Sequence, residues 1–139
     1  MTTHFVIDNS VVMSWCFIDE TNKYADAILH RLTKATAYVP SIWPVEVVNV
    51  LLVAERKKRL SEADSTRFIT LLTQLPIIVD VDPRAKSMKE LLIFARANNL
   101  SSYDASYLDL AMKRGFPIAT LDNQLIHVAK KIDIQILPG

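Results

Sequence analysis

The sequence predicts an α/β fold with a largely parallel sheet, on three observations. Short apolar runs alternate with longer stretches of helical periodicity, the pattern of successive βαβ units. The 139 residues are half hydrophobic, with only 2 glycines and 6 prolines. That is material for one domain burying roughly 68–70% of its unfolded surface. Finally, two runs at opposite ends of the chain look alike: His4-Phe5-Val6-Ile7-Asp8-Asn9-Ser10 and Pro117-Ile118-Ala119-Thr120-Leu121-Asp122-Asn123. Each passes from an apolar stretch into aspartate, asparagine and a helix start. In an open α/β sheet, ligands and reactive groups collect just beyond the carboxyl ends of the strands, so these two carboxylates are expected in one crevice.

Taken in order, residues 4–8 read as the first strand and 10–17 as a short helix. A helix over 22–34 follows, with Tyr24, Ala27, Ile28 and Leu32 along one face. Tyr38-Val39 is a short strand closed by Pro40. Residues 42–58 form a long helix with Pro44 in its first turn, where a missing N–H costs little. Ser61 and Asp64 make a capping box that opens a helix to residue 74. Pro76 ends it, and Ile77-Ile78-Val79 is the third strand. Asp82-Pro83, an N-cap followed by proline, starts a helix through residue 98, and Asn98-Asn99 is a turn. Ser101 or Ser102 caps the next helix, which runs to Arg114 and is stopped by Gly115. Strand 118–121, helix 123–131 and strand 134–137 complete a single domain over residues 1–139.

Composition excludes several classes. Sixteen basic against 15 acidic residues give a net charge of +1, so any nucleic-acid function rests on local patches rather than an overall field. Cys16 is the one cysteine, between Trp15 and Phe17, and reads as a buried inert thiol. The N-terminus lacks the basic region of a signal peptide, and no apolar run reaches the roughly 18 residues of a membrane span. A cytoplasmic location is expected.

The informative residues are acids in apolar surroundings. Glu46 and Asn49 are the polar exceptions on residues 42–54, otherwise apolar nearly all round. The plain reading of Glu46 is a salt bridge to a lysine or arginine, because an unpaired buried carboxylate costs several kcal/mol. Asp104 sits at the middle of its helix's apolar face, between Tyr107, Leu108 and Ala111. Helix-dipole complementarity explains an acid in the first turn but not its inward direction. Asp109 is the contrasting case, four residues before Lys113 in the arrangement of a surface ion pair. Asp8 and Asp122 each read alone as helix caps. As a set, Asp8, Glu46, Asp104 and Asp122 would repel one another unless cations intervene or some become protonated. Oxygen-only ligands suit Mg²⁺ or Mn²⁺ rather than zinc. His4, His30 and His127 lie far apart and read as non-catalytic.

With these residues in view, the chain resembles the PIN-domain family, and within it the VapC-type ribonuclease toxins of toxin–antitoxin pairs. Phe5-Val6-Ile7-Asp8-Asn9-Ser10 is similar to the family's opening strand and first acid. Glu46 matches the acid of the long helix after the second strand. Tyr103-Asp104-Ala105-Ser106-Tyr107-Leu108 resembles the family's most recognisable motif, and Thr120-Leu121-Asp122-Asn123-Gln124-Leu125 its final one. Asn9 stands where threonine or alanine is common, and Asn123 where a charged residue is common. The resemblance implies a PIN-like three-layer fold with about four to five strands, and Mg²⁺- or Mn²⁺-dependent hydrolysis of RNA. Asp8, Glu46, Asp104 and Asp122 would hold one or two ions, and the products would carry 5′-phosphate and 3′-hydroxyl ends. Ser10 and Thr120, with no histidine to activate either, are expected to orient ligands or water.

Arg56-Lys57-Lys58-Arg59, Lys113-Arg114 and Lys130-Lys131 read first as cations complementing helix C-termini, and second as contacts to RNA phosphates. The apolar helix 42–54 and the exposed-looking Trp15, Phe17 and Ile18 favour a homodimer. The resemblance implies an antitoxin folded across the active-site groove. Rival readings are an aspartyl-phosphate phosphatase or receiver domain, whose paired acids after the first strand are missing here. A non-catalytic RNA-binding module of the same fold and a DNA-directed nuclease are the others.

Overall fold

A computed structural model describes residues 2–81 and 85–139. Four strands form one all-parallel sheet: β1 (His4–Ile7), β2 (Thr36–Pro40), β3 (Ile77–Asp80) and β4 (Ile118–Ala119), in the order β3-β2-β1-β4. Seven α-helices among the described residues flank it: α1 (Asn9–Ser14), α2 (Lys23–Arg31), α3 (Trp43–Arg56), α4 (Glu62–Thr73), α5 (Met88–Ala97), α6 (Ser102–Arg114) and α7 (Asn123–Lys131). The α/β prediction with a parallel sheet is met. β1 is an inner strand and β4 pairs along its outer side; Phe5, Val6, Ile7, Ile118 and Ala119 are all fully buried.

The strand order determines where a site forms. From β1 the chain steps one way to β2 and β3, then crosses back to place β4 on the other side of β1. Right-handed crossovers then put α1 to α4 on one face and α5 and α6 on the other. The contacts agree: α1 touches α2 and α3, while α6 touches α5, α7, β1 and β2. The reversal lies between β1 and β4, and the crevice at their carboxyl ends is the place where such sheets bind ligands.

Local chemistry sets most helix ends. Ser61 and Asp64 form the expected capping box at 3.1 Å in both directions, and Gly115 stops α6 in the left-handed region at φ 68°. Other expectations need correction. α5 begins at Met88, capped reciprocally by Ser87 and Glu90; the expected start at Asp82-Pro83 lies outside the described residues. The first helix ends at Ser14, and a single 3-10 turn, Ile18–Glu20, follows. Strand 134–137 reduces to one bridge, Ile136 with Ile118, because Asp133 turns at φ 62° and β4 offers only two residues to pair.

Phe17, expected at the surface, is buried beneath the Arg59 guanidinium, 4.1 Å from its ring centre. Ile18 is exposed as expected, and Trp15 is half-buried. Cys16 is half-buried rather than buried, and desolvation pushes its thiol up to about 11, which keeps it inert. α3 is not covered all round: Trp43, Val47, Leu51 and Ala54 face the core, while Val45, Val48 and Leu52 are exposed. Among the described residues, no helix is long and apolar enough to cross a membrane.

Candidate active site

Asp8 follows β1 directly and lies at the reversal point, 4% exposed. It occupies the N-cap position of α1, yet its side chain makes no capping bond. Its Oδ2 instead accepts the Ser10 hydroxyl at 2.6 Å and the Thr120 hydroxyl at 2.9 Å. Each hydroxyl also accepts a backbone N–H from the segment after β4: Ser10 Oγ from Leu121 at 3.0 Å, and Thr120 Oγ1 from Asp122 at 3.0 Å. Both hydroxyl protons are thus committed to Asp8, and the ends of β1 and β4 are stitched together through one carboxylate. The backbone N–H of Asp8 completes the seam on the Ala119 carbonyl at 2.9 Å.

Asp122 does cap its helix: Oδ1 accepts the N–H groups of Gln124 at 2.8 Å and Leu125 at 3.1 Å. Both bonds use one oxygen, so the cap leaves Oδ2 uncommitted. Glu46 enters from the first turn of α3. The expected salt bridge is not what satisfies it, because its Oε1 accepts the hydroxyl of fully buried Tyr107 at 2.7 Å. Asp104 enters from the first turn of α6, behind the Ser101 cap, half-buried as its inward position predicts.

The electrostatics tie the four together. Asp104 is pushed up to about 6, by desolvation first and then by the negative charges of Asp8, Asp122 and Glu46. Burial raises Asp8 against the pull of its two hydroxyl donors, with Asp122 adding to the rise. Burial also raises Glu46, opposed by the Tyr107 bond and reinforced by Asp8. The Tyr107 phenol is held protonated by burial and by the carboxylates around it. Among the described residues none of the four acids has an ion pair, whereas Asp19, Glu20, Asp64, Asp80 and Asp109 all do. The carboxyl edge of the sheet therefore carries a mutually repelling set of carboxylates with no protein cation among them.

Comparisons with known proteins bear on the family and the fold. A family model described as PIN domain matches residues 5–131. The chain belongs to the PIN domain family. It is similar to the ribonuclease VapC3 of Pyrobaculum aerophilum, 25% identical over 133 residues that cover 96% of this chain and 98% of that protein. The fold is also that of PAE2754 from Pyrobaculum aerophilum, a crystal structure matched at a TM-score of 0.66 and 21% identity. That match covers 91% of this chain and 86% of the other.

Within this PIN domain the donor set fits a hard divalent ion. Every candidate ligand is an oxygen, and Asp104 is raised by burial first and then by the charges of Asp8, Asp122 and Glu46, which a cation would offset. The Oδ1 atom of Asn9, next to Asp8, is a buried acceptor with no partner, which a water on a hydrated ion would satisfy. Among the described residues no three acid, histidine or cysteine side chains are arranged to grip one ion directly. A Mg²⁺ ion does not require such a grip, because it keeps several waters and uses only one or two carboxylates.

Histidine has no part here. His4 starts β1, at the opposite edge of the sheet from Asp8, and stacks on Phe116 at 5.5 Å. His30 and His127 are exposed on α2 and α7. Two residues do more than their spacing implies. Tyr107 lies on the buried apolar face as expected and is also the donor that fixes Glu46; a tyrosine at the centre of a buried face signals that its hydroxyl has a partner. Asp109 is no surface acid. It is 7% exposed, with Lys86 Nζ at 3.3 Å, Lys113 Nζ at 3.7 Å and the Lys86 N–H at 3.2 Å. Of the basic runs, Arg59 is engaged by Asp19 and Glu20, and Arg114 by Asp80 at 2.6 Å.

Proposed function

We propose that this PIN domain is a Mg²⁺- or Mn²⁺-dependent endoribonuclease, the toxin of a toxin–antitoxin pair. The observation that carries the reading is the set of four inward carboxylates, Asp8, Glu46, Asp104 and Asp122, at the switch point of a parallel sheet and without an ion pair among the described residues. The similarity to a ribonuclease over the whole chain supports RNA as substrate. Asp8, Glu46, Asp104 and Asp122 would hold the metal between them, one or two directly and the others through its waters; when bound it supplies activation of a water and relief of charge on the phosphoryl oxygens.

The remaining chemistry belongs to the chain. Ser10 and Thr120 spend their protons on Asp8 Oδ2, so neither is a free nucleophile, and both orient that carboxylate. Asp122 is oriented by its own cap, and Glu46 by Tyr107. Asp104, at about 6, is largely ionised at neutral pH and holds a proton below that, so the site loses a ligand in acid.

The partners and location belong to the same proposal. The exposed Val45, Val48 and Leu52 of α3 and exposed Ile18 favour a homodimer, and the resemblance to VapC-type toxins implies an antitoxin, which would close over the acids. The protein acts in the cytoplasm on cellular RNA. Sequencing the RNA ends left by brief expression, beside an Asp8→Asn control, tests the reading. New ends bearing 5′-phosphates are expected from the wild type alone. Equal ends from both proteins would leave a non-catalytic RNA-binding role. Mass measurement of the protein purified with its neighbouring gene product tests the antitoxin.

A further inference from the structure

A second cleft opens on the same edge of the sheet as the acids, at the carboxyl ends of β2 and β3. It measures about 350 Å³ and is lined by Ser41, Asp80, Lys86, Ser106, Asp109 and Lys113, among others. Among the described residues its charge does not balance. Asp80 is engaged by Arg114, which leaves two ammonium groups, Lys86 and Lys113, sharing the carboxylate of Asp109. Their Nζ–O separations of 3.3 and 3.7 Å exceed the roughly 2.7–2.9 Å of a tight charge-assisted bond, so both retain donor capacity. Both lysines are themselves partly buried, with side chains 25% and 13% exposed. Among the described residues, one excess positive charge is therefore held in a cleft where burial strengthens it.

We propose that this cleft is a subsite for one backbone phosphate of the RNA substrate, bound by Lys86 and Lys113 and positioned by Asp109. The inference rests on the ribonuclease reading. A phosphodiester carries one negative charge, which matches the excess. α6 links the two places, with Asp104 at its first turn in the acid pocket and Asp109 and Lys113 further along in the cleft. Neighbouring strands lie about 4.8 Å apart, so the ends of β2 and β3 fall about 5 and 10 Å from that of β1. Phosphates of one strand are spaced by about 3.4 Å of stacked rise and more when extended, so the bound phosphate lies roughly one to three nucleotides from the scissile one. Asp109 acts through the lysines, holding their ammonium groups toward the cleft.

Binding of a fluorescein-labelled, mixed-sequence single-stranded RNA in Mg²⁺ tests this, with Asp8→Asn as a cleavage-silent background. Adding Lys113→Gln should weaken binding about five- to tenfold, the loss of one charge-assisted contact. The slope of log K against log salt should become less negative by about 0.7, and Lys113→Arg should restore both. Unchanged affinity and slope, with RNA still bound, overturn the subsite alone. So does a fall in melting temperature with binding intact, which makes the lysines structural. Equal loss in the glutamine and arginine variants overturns charge as the cause. If the wild type neither binds nor cleaves RNA, the ribonuclease reading fails with it.

Discussion

Asp104→Asn separates a site strained by its own charge from a structural network. The Asp104 carboxyl is raised from 3.8 to about 6 in the folded protein, by burial and by Asp8, Asp122 and Glu46. A raised folded value means that the contribution of this group to stability is complete below pH 4 and is lost as pH climbs through 6. The displacement corresponds to at most about 3 kcal/mol, at 1.36 kcal/mol per unit. Asp104 is half-buried, and solvent screening reduces this to about 1–2 kcal/mol. Asparagine keeps the size and cannot ionise. In EDTA at pH 7.5 the variant should be more stable by that amount, roughly 3–8 °C in melting temperature. The difference should vanish near pH 4. Thermal unfolding followed by circular dichroism from pH 4 to 8 measures it. Added Mg²⁺ should stabilise the wild type more than the variant, because it binds the native state through the charge removed. A variant less stable at neutral pH, or a difference independent of pH, would refute charge repulsion at this site.

Tyr107→Phe removes the donor that holds the Glu46 carboxylate down. The carboxyl then rises further and adds to the protonation of Asp104, so the acid limb of the cleavage pH profile should move to higher pH, with a stability loss of about 1.5–3 kcal/mol. An unmoved limb would exclude Glu46 as the titrating group. Asp109→Asn leaves two partly buried lysines without their carboxylate and should cost about 2–4 kcal/mol in urea unfolding. A surface pair would cost under about 1 kcal/mol, so a small loss would contradict the buried arrangement.

Much of the fold was legible because the chain states its turns locally. The Ser61–Asp64 box, Pro44 at a helix start and Gly115 at a helix end all depend on neighbours a few residues away. The acids were legible as contradictions: periodicity alone shows Asp104 pointing the wrong way for a carboxylate. What sequence did not show is what covers a face from elsewhere. Helical spacing makes Asp109–Lys113 a surface pair, and only the fold brings Lys86 over Asp109 to bury it. The same holds for Phe17, covered by Arg59 from the end of α3. Asp8 and Asp122 have similar local contexts, each between an apolar residue and an asparagine, yet Asp122 caps its helix and Asp8 does not. The difference is made by Ser10 and Thr120, whose meeting across 110 positions is a property of β1 lying beside β4.

Cleavage of RNA by the purified protein, with Mg²⁺ or with EDTA, beside Asp8→Asn, tests the central claim most directly. The account predicts cleavage by the wild type in Mg²⁺, loss in EDTA, recovery on adding Mn²⁺, and no cleavage by a folded Asp8→Asn protein in any of these. Cleavage that persists in EDTA, or in Asp8→Asn, would contradict it.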